Sequence, residues 1–174
     1  ETGILYVPSR TQLQVLSLAK NPESDIDLSQ GFGVRAPRVQ GLEIVKPPYG
    51  RVTAIDMNSG DHLWWIANAD TPDRIKNHPL LEGVDLPRTG IPTRAGVLLT
   101  KTMLFVAEGT GGAGASPIFR AVDKTTGDII AELDLPQNQT GHPFTYEYDG
   151  VQYVALFVGG GGAAAELVAF ALPE

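Results

Sequence analysis

An internal repeat limits what this chain can fold into more than any other feature of its sequence. The segments AIDMNSGDHLWWI, which begins at Ala54, and AVDKTTGDIIAEL, which begins at Ala121, align without a gap. Both read Ala-x-Asp, three residues, Gly-Asp and then an apolar run. This pattern predicts a strand, a turn and a return strand, in which the glycine adopts positive φ and an aspartate side chain accepts hydrogen bonds from turn amides.

A second signature is a short run of β-branched and aromatic residues, which is typical of strands. The runs ILYVPS, MLFVAEG and VQYVALF contain Tyr6, Phe105 and Tyr153. Phe105 lies 16 positions before Ala121, and Tyr153 lies 16 before Ala169, whereas the first copy is longer by 32 residues. The tail is therefore predicted to be a third copy that stops before its own turn.

One more strand is predicted before each of the last two aromatic runs, in IPTRAGVLLT and HPFTYEYDG. The unit then has four strands, named here A, B (aromatic), C (Ala-x-Asp) and D (after Gly-Asp). Phe105 and Tyr153 are 48 residues apart, close to the length of roughly 40–50 residues of a β-propeller blade. The chain is predicted to be all-β, with a partial blade at 1–67, a complete blade at 91–135 and a last blade at 142–172.

These units amount to about two and a half blades, whereas closed propellers have roughly four or more. We therefore expect residues 1–174 to form the C-terminal part of one larger β-propeller domain, with the rest of that propeller as a partner.

The composition agrees with a β-rich chain and excludes several classes of function. The 20 glycines and 13 prolines favour many turns between short elements, and hydrophobic residues make up 43% of the chain. The net charge of −7 without a basic run argues against a nucleic acid as partner. The absence of cysteine excludes disulfides, thiolate metal sites and a cysteine nucleophile.

The repeat also carries a family resemblance. The pattern Ala-x-Asp-x-x-x-Gly-x-x-x-Trp in AIDMNSGDHLWW resembles the tryptophan-docking repeat of the PQQ-dependent quinoprotein dehydrogenases. The stretch RIKNHPLLEGVDLPRTGIPTRAGVLLTKTMLFVAEG and the ending HPFTYEYDGVQYVALFVGGGG…LVAFALP are similar to the C-terminal region of the membrane-bound glucose dehydrogenase branch. The resemblance covers nearly the whole chain from Gly3 onward.

The resemblance implies an eight-bladed propeller in the periplasm, either free or attached to the inner membrane through an N-terminal region outside this chain. It implies pyrroloquinoline quinone (PQQ) held with Ca²⁺ or Mg²⁺, oxidation of a sugar, polyol or alcohol, and electron transfer to ubiquinone or another acceptor. The catalytic aspartate and the metal ligands of the family belong to blades outside this chain. No catalytic or metal-binding residue is therefore assigned here, and the chain alone is expected to be inactive.

Three positions depart from the family pattern. Ala131 stands where the second repeat would carry its docking tryptophan, which predicts the loss of one stack between blades. Gly161 stands where the glucose dehydrogenase branch carries a histidine near the cofactor. Ala163 stands where methanol-type relatives carry a tryptophan.

In blades of this family, the B–C and D–A loops lie on the face that carries the active site, and the C–D turns lie on the opposite face. The resemblance therefore places four segments of this chain on the active-site face: Pro8 to Gly50, Asn68 to Gly90, 109–116 and 159–162. The turns NSGD and TTGD are predicted to be structural.

The run Gly159–Gly162 allows two interpretations. It is a tight crossing between strands B and C, or Gly160, Gly161 and Gly162 bring the backbone close to the cofactor and offer amides to a carboxylate. A phosphate loop is not indicated, because no Gly-Lys-Ser/Thr follows.

Three side chains are candidates for the mouth of the substrate site, because their segments are expected on the active-site face: Arg74, His78 and His142. Both histidines precede prolines, which favours extended backbone, and the alternative role for each is to anchor a loop. With His62 they form no metal-ligand spacing.

Two hypotheses from different classes remain. The chain is part of a PQQ-dependent dehydrogenase, or it is part of a non-catalytic β-propeller scaffold that binds other proteins. The loop NHPLLEG…LP and the ending GHPFTYEYDG favour the enzyme, since a scaffold does not need them.

Overall fold

The computed structural model describes residues 2–30, 36–110 and 114–171, and the regular secondary structure in them is almost entirely β-strand. In chain order the elements are β1 (Ile4–Arg10), β2 (Leu18–Ala19), β3 (Ser29–Gln30), β4 (Arg38–Val39), β5 (Leu42–Glu43), β6 (Gly50–Asp56), β7 (His62–Ala67), helix α1 (Asp73–Lys76), a 3-10 turn (Pro79–Leu81), β8 (Val97–Leu99), β9 (Met103–Ala107), β10 (Ile118–Asp123), β11 (Ile129–Asp134), β12 (Phe144–Tyr148), β13 (Val151–Gly160) and β14 (Ala163–Ala171). Positions 111–113 of the glycine-rich loop predicted at 109–116 lie outside the described residues, as do Glu1, 31–35 and 172–174.

Three antiparallel sheets follow one another along the chain. The first sheet has the order β1-β6-β7, the second β11-β10-β9-β8 and the third β12-β13-β14. The first sheet contains strands B, C and D of the predicted unit, and the second contains all four strands. The third sheet contains strands A, B and C. The predicted all-β fold built of propeller blades is therefore confirmed.

The register of the strands is the same in the first two sheets and different in the third. Tyr6 pairs with Ala54, and Phe105 pairs with Ala121. Tyr153, however, pairs with Ala171 rather than with Ala169, the residue that the constant spacing of 16 indicated. Strands β13 and β14 are joined by only two residues and contain a bulge, so equal spacing in sequence does not give equal pairing.

The two repeated turns form as their sequence predicts. Gly60 and Gly127 have φ values of 81° and 83°. The Oδ1 atom of Asp56 accepts a hydrogen bond from the Asn58 amide at 2.8 Å, and Oδ1 of Asp123 accepts one from the Thr125 amide at 2.7 Å. The amides of Thr125 and Thr126 hold the pKa of Asp123 below its ordinary value, because they stabilise the ionised carboxylate.

The first and second sheets are joined at a contact that we call the tryptophan dock, formed by Tyr6, Trp64, Lys124 and Gly127. Tyr6 Oη and Trp64 Nε1 both donate a hydrogen bond to the Lys124 carbonyl, at 3.0 and 3.1 Å. A Cβ on Gly127 would lie 2.9 Å from the Trp64 ring, so a larger residue there would push the ring away. Trp65 points outward and is 53% exposed. Trp64 is therefore the docking tryptophan that the family resemblance implies.

Phenylalanines join the second sheet to the third. Phe119 is buried between Phe105 and Phe170, with ring centroids 5.7 and 6.0 Å apart. Leu156 and Val158 of β13 complete this apolar cluster. Ala131, where a docking tryptophan was expected to be missing, is exposed.

The predicted boundaries of two loops are wrong, because Pro8 and Gly50 lie in β1 and β6, and Gly159 and Gly160 lie in β13. Pro8 does not begin a loop but lies in β1, where it pairs with Val52 of β6. The long loop between β1 and β6, which we call the insertion, therefore runs over residues 11–49. It contains the short hairpins β2–β3 and β4–β5. The loop at 68–90 contains α1 and the 3-10 turn, which the all-β prediction did not include.

No helix in the described part of the chain has the length and apolar character that crossing a bilayer requires.

Replacing Trp64 by alanine should lower the free energy of unfolding of the intact protein by about 3 kcal/mol, as expected for losing a large side chain from a packed site. Trp65→Ala, which removes the same side chain from an exposed position, should change it by less than about 1 kcal/mol. Urea unfolding followed by circular dichroism measures both values. Equal losses for the two variants would contradict the tryptophan dock.

Candidate functional site

The B–C and D–A loops lie at one end of the sheets, and we call this end the loop face. It comprises residues 11–30, 36–49, 68–90, 108–110, 114–117, 135–143 and 161–162. In the first sheet, Arg10 pairs with Gly50 and Arg51 pairs with Ala67, so these strand ends lie together, while Asp56 lies at the opposite end. Backbone hydrogen bonds join neighbouring loops, from Tyr49 N to Thr89 O at 2.7 Å and from Arg94 N to Thr110 O at 2.7 Å.

The glycine run is a two-residue hairpin turn between β13 and β14. Gly161 and Gly162 have φ values of 62° and 91°, and positive φ at both central residues is the geometry of type I′ hairpin turns. Gly159 and Gly160, with φ of 155° and 102°, form a bulge just before the turn. A Cβ on Gly161 or Gly162 would meet no atom within 4 Å. Backbone conformation therefore favours glycine here, and crowding by neighbouring atoms does not.

The segment before β12 fastens the second sheet to the third. The Gln139 side chain accepts a hydrogen bond from Gly96 N at 3.0 Å and donates one to Gly96 O at 3.4 Å. His142 lies against the same glycine, because a Cβ on Gly96 would come within 2.9 Å of His142 Nδ1. His142 itself is exposed.

His78 fastens the loop at 68–90 to the insertion. Its Nδ1 accepts a hydrogen bond from Leu80 N at 3.3 Å, and this contact caps the 3-10 turn. Since Nδ1 accepts, the neutral ring carries its proton on Nε2, which donates to Gln40 O at 2.9 Å. These two contacts give His78 a loop-anchoring role.

Arg74 makes a similar connection to the insertion. Its Nη2 lies 2.8 Å from Glu43 Oε1, and the same carboxylate oxygen lies 2.8 Å from Arg38 Nη2. Arg74 and His78 are thus brought together at the β4–β5 hairpin, whereas His142 contacts Gly96 of the second sheet.

A buried ion pair, which sequence reasoning missed, lies where the second sheet meets the loop face. Arg120 Nη2 donates to Glu108 Oε1 at 2.7 Å, and Arg120 Nε donates to Glu132 Oε1 at 2.6 Å. The side chains of Arg120 and Glu108 are 2% and 1% exposed. Burial lowers the pKa of Arg120, but the hydrogen bonds from its guanidinium to the two carboxylates raise it and prevail, so the group stays charged.

This pair connects two loops of the loop face. The other carboxylate oxygen of Glu108 accepts a hydrogen bond from Ser116 N at 2.7 Å, at the end of the glycine-rich loop. Arg88 contacts both Glu132, at 3.5 Å, and Asp70. Partial burial raises the pKa of Asp70, yet the hydrogen bond and charge of Arg88 outweigh this effect and hold that pKa below its ordinary value.

A cavity of about 240 Å³ opens between the first and second sheets at the loop face. The end of β1 forms one wall, Asn68 lies at its back, and the residues before β8 form the other wall. No sequence motif predicts this cavity, because its walls come from three separate parts of the chain.

Comparison with known proteins identifies the family. The family model described as "PQQ: Glucose/ethanol/alcohol dehydrogenase, beta-propeller domain" matches residues 9–154. The chain belongs to this family of PQQ-dependent dehydrogenases. The resemblance inferred from the tryptophan-docking repeat is thereby confirmed.

Three relatives of this PQQ propeller chain are similar to it at comparable levels. It is 33% identical over 141 residues to the glycerol dehydrogenase large subunit of Gluconobacter thailandicus. It is 31% identical over 140 residues to quinoprotein glucose dehydrogenase A of Acinetobacter calcoaceticus, and 30% identical over 144 residues to the probable quinate dehydrogenase (quinone) of Xanthomonas campestris pv. juglandis. Each match covers 77% of this chain but only 16–18% of the relative.

The described residues fit an organic cofactor with carboxylates better than they fit a metal ion. Two kinds of donor that bind carboxylates are present. They are the exposed glycine amides at the β13–β14 turn and the guanidinium groups of Arg10 and Arg94, which line the cavity. Asn68 contributes a buried Oδ1 with no hydrogen-bond partner in the described residues. Within 2–30, 36–110 and 114–171, no group of three or more histidine, aspartate or glutamate side chains is arranged to hold a metal ion.

Replacing Gly161 by alanine should lower the free energy of unfolding by about 1 kcal/mol, because alanine is strained at a φ of 62°. Gly161→Asn should be nearly neutral, since asparagine tolerates this conformation and is common in type I′ turns. Thermal unfolding of the two variants measures the difference. Equal destabilisation by both would contradict the conformational explanation.

Replacing Arg120 by methionine should cost about 3–5 kcal/mol of unfolding free energy, because it leaves the Glu108 carboxylate buried without its partner. The double variant Arg120→Met, Glu108→Gln should recover part of this loss, and Arg88→Met, at an exposed ion pair, should cost less than about 1 kcal/mol. Urea unfolding of the wild type, Arg120→Met, Glu108→Gln and the double variant gives the coupling energy. A coupling energy near zero would contradict a direct interaction between Arg120 and Glu108.

Proposed function

We propose that this chain is part of a PQQ-dependent dehydrogenase that oxidises a sugar, polyol or alcohol in the periplasm and passes the electrons to ubiquinone or another acceptor. The match of the family model to residues 9–154 is the observation that carries this proposal. The names of the relatives support the substrate class, since they include glycerol, glucose and quinate dehydrogenases. When bound, PQQ would supply the two-electron oxidant.

The loop face is the part of this chain that we propose to meet the cofactor and the substrate. The turn at Gly160, Gly161 and Gly162 presents backbone without side chains, so a flat cofactor can approach it closely. Arg74 and His78 would hold the insertion in place at the mouth of the site, through Glu43 and Gln40. His142 is exposed at the mouth and is the histidine left free to contact a substrate in this proposal.

The metal expected with the cofactor, Ca²⁺ or Mg²⁺, would be held by residues outside this chain. The base that takes the proton of the substrate would also lie there. The contribution of this chain is therefore to bind and orient, and to close one side of the site against water.

The role of the glycine turn can be tested separately from its role in folding. Gly161→Asn keeps the turn but adds a side chain where the cofactor would approach, and it should weaken PQQ binding by about tenfold. Gly60→Asn is a matched control, because Gly60 also has positive φ and open space around it but lies at the opposite end of the first sheet. Quenching of protein fluorescence by PQQ measures both affinities. Unchanged affinity in Gly161→Asn would remove these glycines from the cofactor site.

Activity of the intact protein tests the proposed function itself. The protein is reconstituted with PQQ and Ca²⁺, and reduction of an artificial electron acceptor is followed with glucose, glycerol, other polyols and quinate. Turnover of at least one of them is expected. A protein that shows no PQQ binding and no turnover would contradict the proposal and favour the non-catalytic scaffold.

A further inference from the structure

The cavity between the first and second sheets has the features of a binding site. Asn68 at its back is 4% exposed, so its side chain is removed from water. Its Nδ2 makes three long contacts, each of 3.5 Å, to Thr93 Oγ1 and to the carbonyls of Ala107 and Glu108. Its Oδ1 accepts no hydrogen bond in the described residues. A buried acceptor without a donor costs free energy that a ligand or water can recover.

The walls of the cavity carry positive charge. Arg10, at the end of β1, and Arg94, before β8, both line it. Within the described residues, neither guanidinium has an ion-pair or hydrogen-bond partner, whereas Arg38, Arg74, Arg88 and Arg120 are each paired with a carboxylate. The cavity therefore disfavours cations and favours an anion.

Two neighbouring hydroxyls make the anion site suitable for an organic ligand. Ser9 and Thr93 line the same cavity, and each hydroxyl can donate or accept. A volume of about 240 Å³ is below the ~300–1,000 Å³ of sites for drug-sized molecules. It suits a small organic acid, or the carboxylate-bearing end of a larger ligand.

We propose that this cavity binds the carboxylate of an organic ligand, with Arg10 and Arg94 as charge partners and Asn68 Oδ1 accepting from an O–H or N–H beside that carboxylate. The proposal deepens the proposed function, on which it rests for the two sources of such a ligand. One source is the cofactor, which carries carboxylates. The other is a hydroxy-acid substrate, the chemical class to which quinate belongs.

The test uses matched ligands and variants of the intact protein. Gluconate and sorbitol differ only at the carboxylate carbon, which in sorbitol is an uncharged CH₂OH group, and PQQ is the third probe. Arg10→Met and Arg94→Met remove the charge from exposed positions and keep an unbranched side chain; Arg94→Lys keeps the charge. Lys101→Met removes a charge at the opposite end of the second sheet and serves as the control. Titration calorimetry measures gluconate and sorbitol, and protein fluorescence measures PQQ.

We expect each arginine-to-methionine variant to weaken binding of the carboxylate ligand on the order of tenfold, the loss expected for one charge-assisted hydrogen bond. Arg94→Lys should retain part of the affinity, and Lys101→Met should retain all of it. Sorbitol binding should not respond to any of these changes.

The pattern across probes identifies the source of the carboxylate. Weaker PQQ binding in the variants, with gluconate displaced by saturating PQQ, assigns the cavity to the cofactor. Weaker gluconate binding with unchanged PQQ binding assigns it to a hydroxy-acid substrate. If both affinities stay unchanged in both variants, the proposal is overturned. A wild-type protein that does not bind PQQ contradicts the proposed function, while its response to gluconate still decides the cavity.

Discussion

The contact on which the rest of the structure depends is the shared carbonyl of Lys124. It accepts hydrogen bonds from Tyr6 and Trp64 of the first sheet, while it belongs to a turn of the second sheet. Two donors from two strands fix both the distance and the rotation between the sheets, which apolar contact alone leaves adjustable, because burial of apolar area has no direction. Gly127 belongs to the same contact, since only a residue without Cβ leaves room for the indole ring.

The contact between the first and second sheets changes from apolar to charged along its length. Near the repeated turns it is apolar, with Ala54, Leu104 and Val122 fully buried. Toward the loop face it ends in the pair of Arg120 and Glu108. A buried pair contributes little net free energy, yet it tolerates only the arrangement in which both charges are satisfied. The dock at one end and the ion pair at the other therefore specify where the loops lie, and with them the geometry of the loop face.

The sequence was informative where structure is local and repeated. Turn glycines, the docking tryptophan and the order of strands follow from short patterns, whose physical causes lie within a few residues. The Arg120 pair could not be predicted in this way, because Glu108 and Glu132 lie 12 residues away on either side, and only the strand register brings them together. The place of Pro8 in β1 was missed because proline is read as a sign of a strand end or a loop, whereas Pro8 pairs with Val52 of β6.

The glycine run shows why a conspicuous motif can carry less functional information than an ordinary residue. Positive φ at Gly161 and Gly162 is sufficient reason for glycine in a two-residue hairpin, whether or not a cofactor lies nearby. Asn68 belongs to no motif, but its burial with an acceptor left unpaired has no explanation within the described residues. Folding accounts for the glycines, whereas the Asn68 amide oxygen has no donor among the described residues and can accept one from a ligand or a water molecule. The function of the loop face is therefore better sought at the cavity that Asn68 lines.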